Sequence, residues 1–164
     1  MIKDKAVYFD MDGVLCDWVH MYNEVCDVEL EVFNAMGKEE KYALKEEIFG
    51  YEFFRKMRPI DKGVEMIKEC LEKYENVFIL SAVGDSSHVE EIAKAKVEWI
   101  RENICEKIEI MFVDKVENKH REMKEGFAEH ILIDDRKKAI DAWNEKGGIG
   151  IHFVEWLPFT FLVK

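Results

Sequence analysis

The chain has 164 residues, 48% of them apolar and 36% charged, with a formal net charge of −11. That length suits one domain around a single core. The acidic balance argues against nucleic acid as a bulk partner, because duplex binding leans on many cationic phosphate contacts.

A small anionic substrate is still allowed, since local cations or a bound metal can reverse the potential inside one pocket. No stretch is long and apolar enough to span a membrane. Met1-Ile2-Lys3-Asp4-Lys5 runs straight into a strand without the pattern of a signal peptide, so a cytoplasmic location is expected. Cys16, Cys26, Cys70 and Cys105 are scattered, with no C-x-x-C pair for zinc or redox chemistry. Reduced, mostly buried thiols are expected.

The first expected element is a strand over 5–10, where Ala6-Val7-Tyr8-Phe9 leads into Asp10. Asp10-Met11-Asp12-Gly13-Val14 follows directly. Two carboxylates two residues apart, at a strand end and before a glycine-relaxed turn, can share one small site. Residues 18–58 read mainly as helices, including Lys38 to Phe49 and Tyr51 to Met57. Aromatic side chains gather there (Tyr51, Phe53, Phe54) without an obvious sheet to pack on.

The segment 62–73 carries Val64, Ile67 and Leu71 at helical spacing. A strand over 77–81 ends on Ser81, a helix covers 88–103, and a strand covers 108–113. A short helix is expected at 118–125. His130-Ile131-Leu132-Ile133 forms the core of a strand over 130–134 and runs into a second acidic pair, Asp134-Asp135. A helix over 136–146 follows, and Gly147-Gly148 releases the chain into a last strand, 149–154. The apolar tail from Glu155 to Val163 either docks back on the domain or makes a subunit contact, a homodimer included.

Strands alternating with helices of crossover length make an α/β fold, a Rossmann-like three-layer α/β/α parallel sheet. In such a sheet the carboxyl ends of the strands open onto one ligand crevice, so both acidic pairs face the same pocket. Carboxylates converging there repel one another unless a hard, oxygen-seeking cation such as Mg²⁺ sits among them. An EF-hand calcium loop starting at Asp10 is excluded, because its glycine and glutamate positions hold Leu15 and Met21.

Periodicity singles out Lys96. On the helix 88–103 the apolar stripe is Val89, Ile92, Ala93, Val97, Ile100 and Ile104, and Lys96 falls inside it, whereas Lys94 points away. A lysine on a buried face needs an anion, because an unpaired buried charge is very costly. Lys115 and Lys119, near the end of the third strand, are the fallback candidates for the same role.

Asp-x-Asp-Gly-Val after a first strand, with a late Ile-Asp-Asp, resembles the haloacid dehalogenase superfamily of phosphohydrolases. The longer string Asp10-Met11-Asp12-Gly13-Val14-Leu15-Cys16-Asp17-Trp18 resembles the opening of the 5'(3')-deoxyribonucleotidases. Phe53-Phe54 through Pro59-Ile60, Lys96-x-x-Trp99 and Leu132-Ile133-Asp134-Asp135-Arg136 match that family in order. The similarity spans residues 5 to about 153 and is poorest over 26–50.

The resemblance implies a strand order of 3-2-1-4-5, a core domain of 1–17 and 59–164, and a small helical cap formed by 18–58. It implies an Mg²⁺-dependent phosphomonoesterase working through an aspartyl-phosphate, with Asp10 as nucleophile and Asp12 as acid and base. Asp134 would be a direct Mg²⁺ ligand and Asp135 one acting through water, with Asp10 supplying an oxygen and Asp12 its backbone carbonyl. Ser81, with the backbone at Ala82, and Lys96 would hold phosphoryl oxygens. The family often has Thr-Ser-Pro at this point, where Leu80 and Ala82 flank the serine here. Trp18 could stack on a nucleobase, and Arg136 could meet phosphate or base edges.

The expected substrate is therefore a small phosphorylated molecule, first of all a deoxyribonucleoside monophosphate. The alternatives are another phosphorylated metabolite or polynucleotide end, a phosphotransferase, and an inactive nucleotide-binding scaffold.

Overall fold

In the computed structural model, residues 1–154 are described; the apolar tail, and with it the docking expectation, lies outside them. Five parallel strands form one sheet in the order β3-β2-β1-β4-β5: β1 Ile2–Phe9, β2 Tyr74–Ala82, β3 Glu109–Val113, β4 Glu129–Asp134 and β5 Ile149–His152. This is the expected order. β1 lies at the centre, with Phe9 beside Ile79 of β2 and Ile133 of β4. The unbroken apolar run Ala6–Phe9 is fully buried, as a parallel strand covered on both faces requires.

Alternation along β1 divides the core. Val7 and Phe9 point into a layer built on helices α5 (Asp61–Lys73) and α6 (Val89–Asn103), with Met66, Ile67, Ile92 and Trp99. Ala6 and Tyr8 point the other way, to Ala139, Ile140 and Trp143 of α7 (Lys137–Glu145). The two layers around one sheet give the three-layer architecture. Among the described residues no helix is long and apolar enough to cross a membrane.

Several boundaries differ from the sequence expectations. β2 starts at Tyr74, because Tyr74 pairs with Ile2 before a register shift in β1. The segment expected as a helix at 118–125 is a 3₁₀ turn over Val116–Glu122, which places Lys119 inward. On α6 the buried positions are Ile92, Ala95, Lys96, Trp99 and Ile100, so the face is rotated from the expected stripe toward Trp99. Trp99 fixes that rotation by donating Nε1–H to the Met57 carbonyl at 2.7 Å.

Residues 18–55 form four helices inserted after β1: α1 Trp18–Val25, α2 Leu30–Ala35, α3 Lys38–Ile48 and α4 Tyr51–Arg55. The chain leaves and re-enters the sheet domain through two paired segments. The Asp17 N–H donates to the Arg58 carbonyl at 2.9 Å, and the Ile60 N–H to the Leu15 carbonyl at 2.8 Å. Arg58 also grips Asp17 with Nε and Nη2 at 3.0 and 2.7 Å. α4 is tied to α6 by Arg55 to Glu98 and Glu102 and by Tyr51 to Glu98. All four cysteines are free thiols, with Cys16 and Cys70 buried and the other two half-buried.

Candidate active site

The loop after β1 is a tight turn dictated by its glycine. The N–H groups of Val14, Leu15 and Cys16 all point to the Met11 carbonyl, and Gly13 takes φ +81°, a left-handed conformation that side chains resist. A Cβ on Gly13 would lie 2.3 Å from Asp135 Oδ2. Glycine therefore lets the acidic pair after β4 close on the loop after β1. A second close contact seats the loop from below, where a Cβ on Gly63 of α5 would meet the Val14 carbonyl at 1.7 Å.

The sheet brings Asp10 and Asp134 side by side, with the Asp10 N–H on the Ile133 carbonyl at 2.9 Å. Asp10, Asp134 and Asp135 each offer a carboxylate oxygen, all within 4.8 Å of one another. Lys119, almost fully buried, reaches between them: its Nζ is 2.7 Å from Asp10 Oδ1 and 2.6 Å from Asp134 Oδ2. Asp134 Oδ1 accepts at 2.8 Å from the N–H of Arg136, the residue before α7. Asp135 Oδ1 is buried and has no hydrogen-bond partner.

The electrostatics follow from this crowding. Burial, then the charge of Asp10, pushes the Asp134 carboxyl up to about 6, against the pull of Lys119. Burial, then Asp10 and Asp134, pushes Asp135 up to about 8. Burial disfavours the Lys119 ammonium, but the charges of Asp10 and Asp134 outweigh it and raise its pKa above the ordinary lysine value. Three carboxylates against one ammonium leave two negative charges when all are ionised, which a divalent cation balances. The unpartnered Asp135 oxygen and the all-oxygen donor set fit a hard ion such as Mg²⁺.

A second group lies beside the first. Lys96, fully buried, donates to Asp12 Oδ2 at 2.6 Å, to the Ala82 carbonyl at 2.8 Å and to Ser81 Oγ at 2.9 Å. The Phe54 ring of α4 lies 4.8 Å from the same Nζ. Cys16 Sγ is 3.6 Å from the other Asp12 oxygen, Oδ1, and burial pushes its thiol well up, so it remains S–H. The Asp12 carboxylate thus belongs with Lys96 and Ser81, outside the three-carboxylate cluster.

Sequence reasoning named Asp10, Asp12, Ser81, Ala82, Lys96, Asp134 and Asp135, and the fold gathers all of them at the carboxyl ends of β1, β2 and β4. It ranked Lys119 as a fallback only, yet Lys119 is the lysine in contact with Asp10; Lys115 is exposed. Trp18 stacks on Tyr22 with centroids 5.3 Å apart and sets an edge against Phe49. One of its faces is therefore occupied within the helical insertion. Arg136 is exposed, and its backbone N–H is what ties it to Asp134. Phe53 and Phe54 are buried.

Residues 4–155 match the family model described as 5' nucleotidase, deoxy (pyrimidine), cytosolic type C protein. This chain belongs to that family. It is accordingly a phosphatase, a phosphoric monoester hydrolase of the haloacid dehalogenase superfamily.

Solved structures agree with the family's fold. A haloacid dehalogenase-like hydrolase from Streptococcus pneumoniae is 12% identical with a TM-score of 0.58, over 90% of this chain and 83% of that one. A family enzyme from Bacteroides thetaiotaomicron is 13% identical at 0.57, over 98% of both chains. A putative beta-phosphoglucomutase from Thermotoga maritima is 14% identical at 0.52, over 98% of this chain and 89% of that one. No curated protein matches the sequence.

Proposed function

We propose that this member of the nucleotidase family is an Mg²⁺-dependent 5'(3')-deoxyribonucleotidase that removes phosphate from deoxyribonucleoside monophosphates in the cytosol. The observation that carries the reading is Lys119 clasped by Asp10 and Asp134 inside a cluster of three carboxyl groups that is two charges short of neutrality when all are ionised. A phosphate monoester is the ligand whose charge, oxygen donors and in-line chemistry suit such a site.

Asp10, Asp134 and Asp135 would hold the ion, with the Asp12 carbonyl alongside. When bound, the ion neutralises charge on the phosphoryl oxygens. Asp10 attacks phosphorus with a carboxylate oxygen, and the bond from phosphorus to the ester oxygen breaks. Asp12 gives its proton to the departing alkoxide. Water then attacks the aspartyl-phosphate, Asp12 takes a proton from that water, and inorganic phosphate leaves with Asp10 restored. Lys119 holds a phosphoryl oxygen with the N–H not given to Asp10 or Asp134, and Ser81 holds another through its hydroxyl.

The helices of 18–58 act as the cap in this reading, joined to the core at the Asp17–Arg58 clasp. A second reading, hydrolysis of another small phosphate ester, draws on the cap aromatics. Trp18 lies on Tyr22, and Phe53 and Phe54 are buried, which leaves few ring faces for a base. Phosphate release from a panel of 5'- and 3'-deoxynucleotides, ribonucleotides and sugar phosphates, with Mg²⁺ and with EDTA, tests both. Deoxynucleotides should be preferred at least tenfold and EDTA should stop turnover. Equal rates across unrelated esters would defeat the nucleotidase assignment.

A further inference from the structure

We infer that Lys96 is a positioning residue for Asp12 and gives no hydrogen bond to the phosphoryl group; this rests on the phosphatase reading above. An ammonium has three N–H donors and no acceptor. Lys96 has three acceptors at 2.6–2.9 Å: Asp12 Oδ2, the Ala82 carbonyl and Ser81 Oγ. The Phe54 ring occupies a further side of the ammonium at 4.8 Å. To reach a phosphoryl oxygen, Lys96 would have to give up one of these three bonds, the shortest of them charge-assisted. Lys119, by contrast, faces two carboxylates among the described residues and keeps one N–H for an incoming oxygen.

The placement suits the acid–base step. The Asp12 side chain is a quarter exposed on the loop after β1, and the 2.6 Å contact with a fixed ammonium sets the direction of its carboxylate. Ser81 accepts from Lys96, so its own O–H proton is left to donate to the substrate. Lys96 is anchored in turn by α6, where Trp99, one turn on, bonds the Met57 carbonyl. The lysine therefore sets up two substrate-facing groups without touching the substrate.

The test compares Lys96→Met with Lys119→Met in two measurements. Titration of inorganic phosphate by calorimetry with Mg²⁺ present should show Lys96→Met within threefold of the unmodified enzyme and Lys119→Met weakened at least tenfold. Steady-state rates on aryl and alkyl phosphates should show Lys96→Met losing at least tenfold more on the alkyl esters, whose poor leaving group needs the Asp12 proton. In an Asp12→Asn background, which removes the partner charge and keeps the shape of the side chain, adding Lys96→Met should lower kcat by less than threefold. Weakening of phosphate binding by tenfold or more in Lys96→Met, equal losses on both ester types, or a multiplicative loss in the double variant would each overturn the inference. An unmodified enzyme that binds phosphate but hydrolyses nothing would instead overturn the phosphatase reading.

Discussion

Lys119 Nζ lies 2.7 Å from Asp10 Oδ1, a buried ion pair between a 3₁₀ turn after β3 and the end of β1. Removing one member of such a pair leaves the other charge uncompensated, at a cost of about 3–5 kcal/mol. Here Asp134 and Asp10 already repel each other, so the loss falls on the cluster as a whole. Lys119→Met should lower thermal stability and lower kcat/KM by about 10²–10³, the scale of one lost charge-stabilising donor. A variant with wild-type kcat/KM would show that Lys119 is structural only.

Gly13 links backbone conformation to the metal-binding set. Its φ of +81° is strained for any other residue by about 1–2 kcal/mol. An added methyl also meets the Asp135 carboxylate. Gly13→Ala should therefore weaken Mg²⁺ binding by more than it lowers Tm, since Asp135 must turn out of the cluster. Calorimetric titration of Mg²⁺ against the folded variant checks this; unchanged Mg²⁺ affinity would remove Asp135 from the donor set.

The pH dependence follows from the raised carboxyls. Asp134 and Asp135 stand at about 6 and about 8, above the unfolded value near 3.8. The folded protein thus binds more protons than the unfolded chain between these limits, and without a metal its stability falls as pH rises through that window. A divalent ion must displace those protons. Mg²⁺ affinity should climb by up to about tenfold per pH unit from pH 6 toward 8 and then level off, with the Mg²⁺-induced rise in Tm largest at the alkaline end. Affinity that is flat from pH 6 to 8 would contradict the assignment of these carboxylates as ligands.

Asp12 should report on the leaving group. Asp12→Asn keeps the shape but supplies no carboxylic proton, so turnover should drop by about 10²–10⁴ on alkyl phosphates and much less on aryl phosphates. Equal losses on both would remove the acid–base role.

Much of this was readable in the residues. The buried run Ala6–Phe9, the acidic pairs at both strand ends and the order of the motifs fixed the sheet and gathered Asp10, Asp134 and Asp135. Lys96 was recognisable because a charge inside an apolar helical stripe has to be paired, and it is. Lys119 was harder, since it sits in a 3₁₀ turn too short to carry a helical period, and no spacing distinguishes it from Lys115. The aromatic contacts of Trp18 were equally hidden, because they depend on how α1 meets Phe49 and Phe53 across the insertion. Local pattern reveals which groups must be buried; it does not reveal which partner a loop will offer them.

The central claim is covalent chemistry at residue 10. Acid quenching of the enzyme within a single turnover, followed by borohydride reduction and peptide mass analysis, converts an aspartyl-phosphate to homoserine. Homoserine at position 10, absent when substrate or Mg²⁺ is omitted, is the predicted result. Complete phosphate release with Asp10 unmodified at every quench time, and wild-type turnover in Asp10→Asn, would contradict it.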